Sequence, residues 1–125
     1  MSLKQSLKEQ KDNKLNYKDH LKKGKSKIAV WGSGYIGLST MAFFSKNKIR
    51  CVGLDVDQKK VDTINSGKLP IKELKDWFGF DIRNSVKKKY LQATINHNIF
   101  NDSSFIVHFI AIPTEKNGKP FFDIL

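Results

Sequence analysis

The sequence predicts an α/β domain built on a parallel sheet. Short apolar runs alternate with stretches of helical periodicity from Lys27 onward. A glycine-rich loop joins the first run to the first helix. Ser104 to Ile112 is a nearly continuous apolar run, as expected of a parallel strand buried on both faces. Alternation of this kind implies right-handed crossovers, and the expected strand order, that of one common type of doubly wound sheet, is 3-2-1-4.

Residues 1–26 read as a basic tail, disordered or loosely helical. The first 25 residues hold eight lysines against three acids and few sizeable apolar groups, too few to offset the entropy of ordering them. The domain proper is expected over residues 27–125. "KIAVWG" is the first strand. Ile36, Leu38, Met41, Ala42 and Ser45 recur at helical spacing and predict a first helix facing the core. "IRCVGLD" is the second strand. Asp57 is placed to cap a helix over "QKKVDTIN", and Gly67 stands where its C-terminal cap would fall. Pro70 to Tyr90 predicts one or two short helices, "LQATIN" the third strand, and "SFIVHFIAI" the fourth. Pro113 ends that strand and Asn117-Gly118 marks a turn.

Composition narrows the function classes. A chain of 125 residues is about one domain, and 39% apolar with 28% charged residues fits a globular protein. No apolar run approaches the roughly 18 residues that span a bilayer. No import or secretion signal is recognisable, so the cytoplasm is the expected compartment and no membrane partner is expected. A single cysteine excludes an internal disulfide and a cysteine-built metal cluster, and no metal site is expected. The net charge of +11 raises nucleic acid as a partner. Against it, only Arg50 and Arg83 are arginines, the lysines are scattered, and aromatic residues are not interleaved with them. A solvated lysine-rich surface accounts for the charge better.

The stretch Gly32-Ser33-Gly34-Tyr35-Ile36-Gly37 lies between a predicted strand and a predicted helix. That is the setting of a dinucleotide-binding, Rossmann-type loop; without it, the pattern reads as a structural turn. Gly32 would permit the tight turn, Gly34 the close approach of backbone to a pyrophosphate, and Gly37 the packing of helix on sheet. Asp55 closes strand two, 18 residues after Gly37, where a carboxylate would receive the ribose hydroxyls of NAD and repel the extra phosphate of NADP. The competing role for Asp55 is a helix cap, for which Asp57 is better placed. Lys59 and Lys60 are the nearby groups able to turn toward a phosphate.

"KIAVWGSGYIGLS", "VGLDVDQKKVDTINSGKLPI", "LQAT" and "FIAIPTEKNGKP" resemble, in order and spacing, the start of the UDP-glucose/GDP-mannose dehydrogenase family. The resemblance covers about Lys27 to the C-terminus and implies an incomplete Rossmann-type domain. It implies NAD as cofactor, bound by Gly32, Ser33, Gly34, Tyr35, Ile36 and Gly37, by Asp55 at the adenosine ribose, by Lys60 nearby and by Thr114 after strand four. It also implies, for the full-length enzyme, oxidation of the C6 hydroxyl of a nucleotide sugar to a carboxylate, with two molecules of NAD and no metal.

The nucleophilic cysteine, catalytic lysine and sugar-binding half of that family would fall beyond Leu125. The chain alone is therefore expected to be inactive, with no catalytic residue of its own. Cys51 lies inside strand two and is expected to be inert. His108 is expected to be a packed core histidine. Trp31 stands where the family has a smaller aliphatic residue, and only packing at the strand end accounts for it. A connection between strands three and four as short as His97–Ser103 is expected to leave much of one sheet face bare, and the strand-four edge to drive self-association. The alternative reading is a small regulatory nucleotide-binding module of the potassium-transporter type.

Overall fold

The computed structural model describes residues 2–5, 17–79, 81–112, 115–116 and 118–120. Four parallel strands form its sheet: β1 (Lys27–Trp31), β2 (Cys51–Leu54), β3 (Leu91–Thr94) and β4 (Phe105–Ile110), in the order β3-β2-β1-β4. The helices are α1 (Tyr35–Lys46), α2 (Gln58–Asn65), α3 (Leu74–Phe78) and α4 (Arg83–Lys87), with a 3-10 helix over His97–Asn101 between β3 and β4. A two-residue hairpin, β5 (Glu115–Lys116) with β6 (Lys119–Pro120), turns at Gly118, whose φ of 74° is left-handed. This is the expected fold class and strand order.

Register sets up the site. Trp31 pairs with Leu54 and Ile110, and Leu54 pairs with Thr94, so all four strands end in line. The loops that leave them emerge side by side at the carboxyl edge, where open α/β sheets bind ligands. A shift in the β1–β4 pairing between Lys27 and Ile28 brings the two strand ends into this alignment.

One face of the sheet carries the larger core. Leu38, Met41 and Ala42 of α1 and Val61 and Ile64 of α2 pack over Ile28, Val30, Cys51 and Leu91. Ile36 is not part of that stripe: it is 65% exposed at the start of α1. Asp57 caps α2 as expected, accepting the Lys59 N–H at 3.0 Å, and Gly67 follows with φ 85°. Part of the expected tail is helical, over residues 17–22, and its Leu21 packs against the core.

The other face is covered better than the length of its connection promised. Phe100 of the 3-10 helix is 5% exposed and packs with Phe105 over Ala29 and Val52, both buried. Trp31 completes this layer, its ring 5.0 Å from Phe100.

Strand β4 departs from expectation. Phe105 is buried, but Val107 to Ile110 are exposed, with Ile110 at 56%. His108 is correspondingly a surface residue, not a core one, and its Nδ1 accepts the indole N–H of Trp31 at 3.1 Å. An apolar sequence makes a strand; burial on both faces also needs a neighbour, and among the described residues β4 has one only at β1.

Candidate dinucleotide-binding site

The glycine loop is tied to the sheet at its start. Gly32 has φ 105°, a conformation that strains any residue with a β-carbon. A Cβ there would also come within 2.5 Å of the Ala111 carbonyl oxygen. The Gly32 N–H and the Ser33 hydroxyl both donate to the Leu54 carbonyl, at 3.0 and 3.1 Å. Ser33 is 1% exposed, so its side chain is committed to the sheet and only its backbone remains for a ligand. Gly53 makes room for this arrangement, because a Cβ on it would overlap the Met41 thioether and approach Ser33 Oγ to 2.9 Å. Sequence reasoning missed Gly53, although an isolated glycine in a strand signals close approach.

Gly34 is the opening in the loop. It is the N-cap of α1, with φ −80°, and a Cβ on it would meet nothing within 4 Å. Among the described residues no side chain caps this helix, and no acid lies in its first turn. Leu38 makes the first backbone bond back, to Gly34 at 2.9 Å. The N–H groups ahead of it are left without an intrahelical partner, and with the positive end of the helix dipole they are suited to receive an anion. Gly37 closes the loop from behind: a Cβ on it would overlap the Gly32 carbonyl oxygen.

Asp55 stands where β2 ends. Its N–H donates to the Thr94 carbonyl at 3.1 Å, one carboxylate oxygen accepts the Asp57 N–H at 2.9 Å, and the other lies 3.3 Å from Lys60 Nζ. Its side chain is 11% exposed. Gly32, Ser33, Gly34, Tyr35, Ile36, Asp55 and Lys60 line one cleft of about 740 Å³, walled on the far side by Ile110, Ala111 and Ile112. The structure thus brings together all the sequence-predicted residues except two. Gly37 packs behind the loop, and Thr114, with Pro113, lies outside the described residues. A depression of about 770 Å³ on the opposite face, among Lys27, Gln92 and Phe105, contains none of the glycine loop.

Cys51 is not placed for chemistry. It is 1% exposed, and burial pushes its thiol up to about 12, only partly offset by a backbone hydrogen bond at Ser45. Its Sγ sits 3.3 Å from the Met41 carbonyl. Among the described residues there is no cluster of three or more potential metal ligands, and no helix is long and apolar enough to cross a membrane.

Residues 26–124 match the model of the UDP-glucose/GDP-mannose dehydrogenase family, NAD-binding domain. The chain belongs to this family. As its NAD-binding domain, the chain is 41% identical over 95 residues to the UDP-N-acetyl-D-mannosamine dehydrogenase of Campylobacter jejuni, covering 74% of this chain and 21% of that one. It is 38% identical over 99 residues to the UDP-glucose 6-dehydrogenase of the same species, covering 78% and 24%. Among solved structures, it superposes on a ternary complex of GDP-mannose dehydrogenase from Pseudomonas aeruginosa with a TM-score of 0.60 at 28% identity, over 75% of this chain and 21% of that one. The NAD-binding domain described here therefore spans about a fifth of the length of these relatives. The matches give no support to the alternative of a transporter-type regulatory module.

Proposed function

We propose that the cleft between the glycine loop and Asp55 binds NAD as the cofactor of a nucleotide-sugar 6-dehydrogenase. In this reading the backbone of Gly32, Ser33, Gly34, Tyr35 and Ile36 receives the pyrophosphate at the start of α1. Gly37 allows the helix to approach, Asp55 receives the adenosine ribose, Lys60 steadies Asp55, and Thr114 lies beside the cofactor. The observation that carries the proposal is the contrast within one loop. β-carbons at Gly32 and Gly37 would strike backbone oxygens, whereas at Gly34 the space is empty, beside an uncapped helix start. Bound NAD would supply the hydride acceptor; the residues described here hold and orient it.

The substrate in the full-length enzyme would be a UDP- or GDP-sugar, as the names of the relatives indicate for those proteins. Residues 27–125 would constitute the NAD-binding unit, residues 1–26 a basic tail, and the cytoplasm its compartment. The exposed strand-four edge is proposed to drive self-association of the isolated chain, and nucleic acid is not proposed as a partner. Calorimetric titration of the chain with NAD and NADP tests the cofactor reading. NAD should bind at least about tenfold more tightly, since a carboxylate at the ribose disfavours the extra phosphate. Equal or tighter binding of NADP would overturn it.

A further inference from the structure

Helix α2 is fastened to the sheet at both ends, and each fastening leads to Asp55. Near its start Lys60 pairs with the Asp55 carboxylate. At its last residue the Asn65 side chain accepts the Ala93 N–H at 2.8 Å and donates to the Ala93 carbonyl at 3.0 Å. Among the described residues β3 is an edge strand, paired only with β2. In a parallel strand the N–H and C=O of alternate residues point to the same side. The carbonyls of Tyr90 and Thr94 point inward, to the N–H groups of Cys51 and Asp55. Ala93 points outward, and the primary amide of Asn65 meets both of its backbone groups as a one-residue strand would.

We infer that Asn65 is a positioning residue for the cofactor's adenosine ribose, acting through Ala93 and Thr94 on Asp55. The inference rests on the NAD reading of the cleft. Thr94 follows Ala93 directly, and its carbonyl is the acceptor of the Asp55 N–H. With its outward groups held, the end of β3 cannot fray, and the Asp55 backbone keeps the direction that aims its carboxylate into the cleft. Asparagine suits the task because a primary amide both donates and accepts. Alanine would do neither, and aspartate would accept but not donate.

The test has two parts, both on the whole chain. In amide hydrogen exchange, Asn65→Ala should speed exchange at the Asp55 N–H at least about tenfold while leaving the Leu38 N–H of α1 unchanged, because the opening is local. In calorimetry with NAD, Asn65→Ala and Asp55→Ala should each weaken binding about tenfold. The double variant should bind no more weakly than Asp55→Ala alone, because residues acting through one contact are not additive. Asn65→Asp, keeping one of the two bonds, should fall between wild type and Asn65→Ala. Unchanged exchange at Asp55, or additive losses in the double variant, would overturn the inference while leaving the NAD site intact. Undiminished NAD binding by Asp55→Ala would overturn the assignment of Asp55 itself, and the inference with it.

Discussion

The ammonium group of Lys60 lies 3.3 Å from the carboxylate of Asp55, at the wall of the cleft opened by Gly34. In the proposed NAD site this pair would set cofactor choice. Asp55 would present a negative charge to the adenosine ribose, and Lys60 is paired with it rather than turned toward a phosphate. On this proposal, replacing Asp55 with alanine would free Lys60 to meet the extra phosphate of NADP. The expected outcome is weaker NAD binding together with stronger NADP binding, narrowing the preference about tenfold or more. In Lys60→Ala the preference for NAD should widen. Calorimetric titration of both variants with both cofactors checks these directions.

Gly34 and Gly37, three residues apart, should separate ligand binding from stability. At Gly37 alanine would drive its methyl group into the Gly32 carbonyl oxygen, backbone that cannot step aside cheaply. A loss of about 1–3 kcal/mol or more is expected, as for overpacked cores. At Gly34, φ −80° suits alanine and the methyl group meets nothing. Stability should fall by no more than about 0.5 kcal/mol, the cost of a poorer N-cap, while NAD affinity drops because the methyl occupies the approach to the loop. Urea unfolding and NAD titration of Gly34→Ala and Gly37→Ala would reveal the split.

Cys51 gives a pH dependence. Burial raises its thiol from an ordinary 9.0 to about 12, so the folded chain keeps a proton that the unfolded chain releases. The contribution of this group to stability is present below pH 9 and is lost as pH rises from 9 toward 12. Within that window, wild type should lose stability more steeply than Cys51→Ala, on the order of 1.4 kcal/mol per pH unit. The native thiol should also resist thiol reagents until the chain unfolds. Rapid labelling of folded protein at neutral pH would contradict the buried geometry.

The proposed self-association should respond to the outer side of β4. Val107, Phe109 and Ile110 are each more than a third exposed, and among the described residues no strand pairs beyond them. An uncharged apolar edge of this kind recruits another strand. Size-exclusion with light scattering should show dimers or larger species, and Val107→Lys should shift the distribution toward monomer. A wild-type chain that stays monomeric at all concentrations would remove the edge as an association surface.

Local physics made much of this protein legible in its sequence. Alternating periodicities gave the element order, and the glycine loop after the first strand pointed to the doubly wound sheet whose strand order is 3-2-1-4. The Asp57 cap and the turns at Gly32 and Gly67 follow from side-chain reach and positive φ, both properties of a few neighbouring residues. The cleft could be read for the same reason, since its loop and its acid sit at strand ends that the pattern already located.

What the tertiary structure decided was which side of each residue faces protein. Ser33 turned its hydroxyl into the sheet because Gly53, distant in sequence, leaves room there. Ile36 was expected both in the core stripe and at the cofactor, and it lies beside the cleft alone because α1 starts at the loop, ahead of the packed turns. Asn65 found Ala93 only once α2 lay along the edge of β3. His108 and the end of β4 stayed exposed because burial belongs to a strand together with its neighbours, and an apolar run does not carry those neighbours with it.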